Sequence, residues 1–208
     1  EKNHRFNLSY SYFGSKLNVQ ATVLYSRGNG TISAYQFLDE EGVLNRTYAN
    51  LSKFNAGALT LYMGYNPTPK TSVSLNAIFQ YLDFYPVKKY EAYFQEGGNS
   101  GFSGSAFATF SQKLGRDWRF VLSSGIMRPE ISIGRVPETY YFYSCYLGKT
   151  FLNNKLTIAL RGQDFAESYH VSRSKESFAD FESRQKTKKF GRTFGITFSY
   201  SIGNLKEK

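Results

Sequence analysis

The chain has 208 residues and a formal net charge of +10, with 41% hydrophobic and 18% aromatic residues. This length suits one all-β domain, and no apolar run reaches the roughly 18 residues that a membrane-spanning helix requires. Its single cysteine, Cys145, excludes a disulfide framework and a metal–thiolate cluster.

The first four predicted strands come in two pairs, each joined by a short turn. They cover about 5–13, 17–37, 43–66 and 71–84. The first pair is joined at 14–16, and Gly28-Asn29-Gly30 predicts a bulge inside the second strand. Pro67–Lys70 is a turn, since proline is excluded from central strands.

The second half of the chain continues the alternation after an irregular stretch at 85–100. Five further strands are predicted at about 101–114, 118–133, 138–151, 155–175 and 182–202. The fifth strand of the chain has the weakest pattern, because Phe107 and Phe110 fall on opposite parities. The first half of the last strand is too charged to contact lipid.

The stretch 192–202 shows the pattern most clearly: bulky apolar residues occupy one parity, and small polar residues the other. Alternate side chains of a strand point to opposite faces, so this pattern is typical of a transmembrane β-barrel strand. The same parity predicts these membrane-facing residues: Phe6, Leu8, Tyr10, Val73, Leu75, Phe79, Trp118, Phe120, Leu122, Leu156, Ile158, Leu160, Phe194, Ile196, Phe198 and Tyr200. Cys145 is predicted on the same face.

The connections alternate between short turns and longer polar loops, as in outer-membrane barrels with periplasmic turns and extracellular loops. The predicted fold is therefore an all-β, antiparallel, up-and-down transmembrane barrel segment of about nine long strands. Single-chain bacterial barrels have even strand numbers with both termini in the periplasm. An odd count predicts that residues 1–208 are the C-terminal portion of a larger barrel, with earlier strands before residue 1.

Two segments carry a family resemblance: Phe151-Leu152-Asn153-Asn154-Lys155 with the following Leu156–Leu160 and Asp164-Phe165, and 192–203. They resemble the C-terminal end of the outer-membrane β-barrel family found in TonB-dependent receptors of the Bacteroidetes type. Phe165 stands where that family usually has isoleucine, and the usual terminal aromatic is missing.

The resemblance implies a barrel of about 22 strands, a plug domain outside these residues, and nutrient import across the bacterial outer membrane. The implied partners are outer-membrane lipid and lipopolysaccharide, the missing plug and N-terminal strands, the TonB system and a surface lipoprotein. The resemblance implies no cofactor and no enzymatic activity.

Candidate ligand-binding residues fall into two groups. The irregular loop offers Tyr85, Tyr90, Tyr93 and Phe94, and the inward parity offers Tyr62, Tyr140, Phe142 and Tyr146 for lining a lumen. For the loop residues, an ordinary exposed loop is an equal alternative.

Other chemistry is weakly represented. Asp83, Asp164 and His170 form a conceivable acid–base set, but no nucleophile motif accompanies them. The two histidines, His4 and His170, have no acidic or cysteine partner at ligand spacing, so no metal site is predicted. The scattered basic residues include no recognition motif, which argues against nucleic-acid binding.

Two alternative functions stay open at this point. One is a small outer-membrane barrel that acts as an adhesin, an anchor or a partner-binding module. The other is a soluble all-β protein, which would bury its Phe and Tyr faces against each other.

Overall fold

The computed structural model describes residues 2–94, 98–166, 168–179 and 181–202. The strands are β1 (Lys2–Phe13), β2 (Leu17–Leu38), β3 (Leu44–Thr68), β4 (Thr71–Pro86), β5 (Asn99–Leu114), β6 (Trp118–Arg128), β7 (Arg135–Pro137), β8 (Tyr140–Phe151), β9 (Leu156–Gln163), β10 (Tyr169–Ser177), β11 (Glu182–Phe190) and β12 (Thr193–Tyr200). A short 3-10 helix covers Lys88–Tyr93. Within the described ranges, no helix has the length and apolar character needed to cross a membrane.

Nine strands form one antiparallel sheet in the order β1-β2-β3-β4-β5-β6-β8-β9-β12. The predicted all-β antiparallel meander is confirmed in this sheet. Its two edges, β1 and β12, do not pair with each other in the described part of the chain, so the sheet is not closed. The barrel of about 22 strands stays a prediction.

Short connections gather at one end of the sheet, here called the turn end, and longer ones at the other, here called the loop end. At the turn end, Arg116, Asp117 and the run Leu152–Asn154 have positive φ angles between 52° and 69°. This left-handed backbone is common in tight hairpin connections. The predicted bulge in the second strand is confirmed, since the β2–β3 register shifts beside Gly30, whose φ is 72°.

A second sheet of three strands, β11-β10-β7, lies at the loop end. The predictions of single strands over 155–175 and 182–202 are therefore wrong, because each of them breaks into two. The first break follows Asp164, whose φ is 45° and whose Oδ1 accepts a hydrogen bond from the backbone N–H of Tyr143 at 2.8 Å. The second break is at Gly191, where a Cβ would lie 2.6 Å from the His170 ring.

Buried apolar clusters lie at the loop end. One, here called the loop-end cluster, consists of Leu51, Phe94, Ile133 and Phe178. The smaller one joins Ala56 and Leu82 to Ile131.

The spanning part of the main sheet has no second layer among the described residues. Phe79, Phe194 and Phe198 are 53%, 69% and 70% exposed. A soluble two-layer sandwich would bury such a face, so the soluble alternative does not describe this fold.

Candidate functional site

Residues directly opposite each other on neighbouring strands form rungs, and each rung presents its side chains to one face. One rung joins Phe6, Tyr25, Gly57, Tyr81 and Phe102 across β1 to β5. Four of its five members are aromatic, and the Tyr81 and Phe102 ring centroids lie 5.0 Å apart. We call it the aromatic rung.

The register places all sixteen predicted membrane-facing residues on the face of the aromatic rung, here called the apolar face. The strands that carry them are β1, β4, β6, β9 and β12. The free thiol of Cys145 also belongs to this face, opposite Leu122. The structure thus brings these residues together, while their contact with lipid stays a prediction.

The apolar face crosses the sheet obliquely. Phe194 is the apolar residue of β12 nearest the loop end. Its rung, followed from strand to strand across the sheet, reaches Leu17 on β2. Leu17 lies at the opposite, turn-end limit of the β2 apolar run, whose loop-end limit is Tyr25.

This offset gives the tilt of the strands. The residues from Leu17 to Tyr25 cover about 27 Å of strand, and the spacings from β2 to β12 sum to about 34 Å. A level apolar band then requires strands tilted by about 40° from the membrane normal, which agrees with transmembrane barrels.

The opposite face, here called the polar face, carries the four predicted lumen-lining residues Tyr62, Tyr140, Phe142 and Tyr146. Its remaining positions are mostly small or polar, as in the contact of 2.9 Å between Ser9 Oγ and Thr22 Oγ1. The predicted parity of the four aromatic residues is therefore confirmed. Their role in lining a lumen is untested.

Aromatic rings on the polar face cover glycines of neighbouring strands. A Cβ at Gly125 would lie 2.2 Å from Phe142 Cζ, and the Phe107 ring centroid is 5.1 Å from that of Phe142. Such ring-over-glycine contacts stabilise exposed sheets. Sequence parity identified Phe142 as inward-facing but not its contact with glycine.

A groove of about 630 Å³ lies on the polar face and is lined by β6, β8, β9 and β12. Arg119 and Arg161 both line it, and the Arg161 guanidinium lies 5.5 Å from the Tyr146 ring centroid. Arg119 Nε donates a hydrogen bond to Ser111 Oγ at 3.1 Å. Two guanidinium groups beside an aromatic ring give this groove the chemistry of an anion-binding surface.

The predicted loop residues do not form one exposed group. Phe94 is buried in the loop-end cluster, and Tyr90 packs against that cluster. Their expected role as exposed gripping residues is corrected, because both side chains contribute to the packing of the loop end. Tyr85 is exposed and hydrogen-bonds through its hydroxyl to Asp83, while the Tyr93 side chain lies outside the described residues.

The hydrogen bond to the Asp83 carboxylate raises the pKa of Tyr85 above its ordinary value of 10.0. The hydroxyl therefore stays protonated at neutral pH and remains a donor to Asp83.

Asp83, Asp164 and His170, the residues considered above as an acid–base set, lie in two separate places. His170 Nε2 lies 3.0 Å from Asp164 Oδ2 at the break between β9 and β10, and the Asp164 side chain is only 3% exposed. Asp83 instead lies on β4, where it contacts Tyr85. The Asp164–His170 pair forms a structural corner, and the described residues contain no group of three metal-ligating side chains.

One group escaped the sequence analysis. Lys2, Arg27 and Lys53 lie beyond the aromatic rung on the same face. The first predicted strand begins at residue 5, so Lys2 lies outside it. Extending the apolar parity into the loop end would have identified all three.

Comparison with known proteins identifies one family. The sequence profile described as "Outer membrane protein beta-barrel family" matches residues 1–200. No curated protein matches the chain. Among solved structures, the beta domain of the Bordetella autotransporter BrkA is similar at 11% identity and a TM-score of 0.28, covering 96% of this chain and 90% of that one.

Proposed function

Since the chain belongs to the outer membrane protein beta-barrel family and is located in the bacterial outer membrane, we propose that it is a barrel wall that presents a partner-binding platform. The platform is the loop end, which faces the cell exterior in this proposal. The observation that carries the proposal is the loop-end cluster, which packs residues from four separate segments together. A preordered surface binds a partner with little loss of conformational entropy.

Ion pairs support the order of the second sheet. Lys175 Nζ lies 2.8 Å from Glu182 Oε2, and Arg184 Nε lies 2.6 Å from the other Glu182 oxygen. Arg173 pairs with Glu138 at 3.8 Å. These contacts connect β10 to β11 and to the residue that follows β7, and Arg135 of β7 itself lies 3.7 Å from Glu176 of β10.

Exposed apolar residues give the platform a binding face. Ile32 and Tyr48 lie on the loop-end extension of β2 and β3, with side chains 60% and 67% exposed. Their parity is opposite to that of Leu51, so they point away from the loop-end cluster. Aromatic and aliphatic anchors of this kind dominate protein–protein binding energy.

Site-specific photocrosslinking in intact cells tests this proposal. A photoreactive phenylalanine analogue at Tyr48 of the full-length protein should give a discrete protein adduct. Ile32→Asp should abolish that adduct, because it places a charge in the apolar contact. The same probe at Lys70, at the turn end, is the matched control.

The result that contradicts the platform is specific. The proposal is contradicted if the probe at Tyr48 forms adducts with lipid alone. It is also contradicted if the probes at Tyr48 and Lys70 form the same protein adduct. Retention of the adduct in Ile32→Asp would also contradict it, provided that the variant reaches the outer membrane.

A second candidate function is nutrient import as part of a TonB-dependent receptor with about 22 strands, a plug, the TonB system and a surface lipoprotein. The observation that favours it is the pair of unpaired edges at β1 and β12. Each unsatisfied backbone group in lipid costs several kcal/mol, so both edges need neighbouring strands. Further strands of a larger barrel would supply them.

Cysteine crosslinking distinguishes the two barrel sizes. In a Cys145→Ser background, Ser9→Cys paired with Thr22→Cys should crosslink, because those residues are opposite each other on β1 and β2. Ser9→Cys paired in turn with cysteines along β12 should crosslink only if β1 and β12 close directly. The larger barrel predicts no β1–β12 crosslink at any position.

Neither proposal assigns a reaction to the chain. The Asp164–His170 pair lacks a neighbouring nucleophile in the described residues, and its carboxylate is engaged by backbone. We propose that the wall acts through shape and surface chemistry alone.

A further inference from the structure

We propose that Lys2, Arg27 and Lys53 form a binding site for the phosphate groups of a glycolipid in the outer leaflet. This inference rests on the outer-membrane location and on the loop end facing outward, and it is independent of the proposed partner platform. It concerns the apolar face just beyond the aromatic rung.

The three cations occupy two successive rungs. The first rung beyond the aromatic rung contains His4, Arg27, Asn55 and Asp83, and the second contains Lys2, Asn29, Lys53 and Tyr85. Successive rungs on one face are about 7 Å apart along a strand. With a strand tilt of about 40°, these rungs lie roughly 5 and 10 Å above the aromatic rung along the membrane normal.

The first of these heights lies within the polar layer of a bilayer, and the second lies just beyond the outer limit of that layer. The hydrocarbon core is about 30 Å thick and the whole bilayer about 40–45 Å, which leaves about 5–8 Å of headgroup on each side. Aromatic girdles mark the boundary of the core. Cations directly above such a boundary therefore meet headgroup phosphates.

A cavity of about 520 Å³ joins the three cations. Its lining also includes His4, Asn29 and the phenol of Tyr85, and it contains no carboxylate among the described residues. Lysine ammonium and arginine guanidinium groups bind phosphate oxygens through charge-assisted hydrogen bonds. The cavity is therefore chemically complementary to a phosphate-bearing headgroup.

The three cations of this cavity have no ion-pair partner among the described residues. Lys175 and Arg173 of the second sheet, by contrast, are each paired with a carboxylate. The carboxylate of the neighbouring Asp83 accepts a hydrogen bond from the Tyr85 hydroxyl. A phosphate group bound in the cavity would supply a counter-charge to all three cations.

The apolar face below the cavity identifies the source of the phosphate as a lipid. Phe6, Leu8 and Val23 continue directly from the cations along β1 and β2, with side chains 68%, 76% and 57% exposed. An amphiphile can place its phosphates on the cations and its acyl chains on these residues at once. A soluble phosphate would use only the upper half of the surface.

Native mass spectrometry of the full-length protein tests the site. The protein is reconstituted in phosphatidylcholine nanodiscs with increasing fractions of bisphosphorylated lipid A, and the bound lipid A is counted after release from the disc. Each basic residue near a membrane surface contributes about fivefold in affinity. The double variant Arg27→Gln with Lys53→Gln should therefore bind lipid A about twenty-five-fold more weakly.

Three comparisons make the result decisive. Lys70→Gln with Lys113→Gln removes the same charge from exposed positions at the turn end and should change binding less than about twofold. Dephosphorylated lipid A should bind the unmodified protein at least as weakly as lipid A binds the double variant, because it also loses the contact with Lys2. This comparison uses only the unmodified protein, so it does not depend on whether a variant folds. Inorganic phosphate in the buffer should not compete.

Two results overturn the proposal. Equal binding of phosphorylated and dephosphorylated lipid A would show that the phosphates are not recognised. Competition by inorganic phosphate at equal phosphate concentration would identify a soluble-anion site without a lipid component.

Discussion

Gly104 on β5 lies where a side chain would run into the backbone of β4. Its φ is 144°, and a Cβ there would lie 2.0 Å from the backbone oxygen of Ile78. Backbone cannot move aside as a side chain can. Gly57 is also on the apolar face, but a Cβ there meets nothing within 4 Å.

We expect Gly104→Ala to lower the free energy of unfolding by at least about 2 kcal/mol, because it combines a backbone clash with left-handed strain. Urea unfolding of the full-length protein in lipid vesicles measures this. Gly57→Ala is the matched control and should stay within about 0.5 kcal/mol of the unmodified protein. Equal effects at both positions would contradict the close approach.

The carboxylate of Glu182 gives the second sheet a dependence on pH. Hydrogen bonds from Lys175, and then from Arg184, lower the pKa of Glu182 below its ordinary value of 4.5. Because the pKa of Glu182 is lower in the folded than in the unfolded chain, the carboxylate stabilises the sheet when the pH is above the unfolded-state pKa. This stabilisation is lost as the pH falls through the folded-state pKa.

Amide exchange of β10 and β11 should therefore accelerate as the pH falls below about 4.5, after correction for the intrinsic exchange rate. Glu182→Gln should weaken the protection of these amides from exchange at neutral pH. In this variant, protection should change little as the pH falls below about 4.5. Unchanged acid sensitivity in Glu182→Gln would assign the effect to another carboxylate.

Single residues were predictable from sequence where only parity mattered. Tyr62 and Phe142 were assigned to the correct face, because alternation needs no knowledge of distant contacts. Tyr90 and Phe94 were expected in an exposed loop, but Phe94 is buried and Tyr90 packs against the same cluster. Their packing depends on Leu51 and Phe178, which are far away in the sequence.

At the scale of elements, the strand faces are testable by a charge placed at mid-band. Leu61 on β3 belongs to the apolar face, and its neighbour Thr60 to the polar face. A charge facing lipid at the membrane midplane costs about 2–4 kcal/mol. Leu61→Arg should destabilise the wall by that amount, while Thr60→Arg should cost less than about 1 kcal/mol.

The heat-modifiable mobility of the protein on gels and urea unfolding in vesicles both measure this difference. The two substitutions introduce the same side chain at adjacent positions, so each controls for the other. A larger effect at Thr60 would reverse the assignment of the two faces.

The elements with regular alternation were predictable, and the breaks between them were not. The nine strands of the main sheet follow from apolar periodicity and turn residues. The corner at Asp164 depends on a positive φ and on a side-chain contact with β8. Neither feature changes the two-residue period of the sequence, so the break cannot be recognised from the alternation alone.

At the scale of the whole molecule, the open edges determine what the 208 residues can do alone. Expressed by itself and refolded in detergent, this chain should not give a heat-modifiable, protease-resistant monomer, because the edges of β1 and β12 lack partners. Size-exclusion chromatography with light scattering should instead detect edge-paired oligomers or aggregates. A stable monomer would favour direct closure of β1 on β12.

The oblique course of the apolar face has a mechanical consequence for the surrounding bilayer. Hydrogen-bond register sets the stagger of a closed barrel, and stagger and strand number together set its tilt and diameter. The height of the apolar band is therefore a fixed property of the protein. A single helix can increase its tilt in a thinner bilayer, but the strands of a closed barrel cannot. Where the two heights differ, the lipid must stretch or compress to meet the wall.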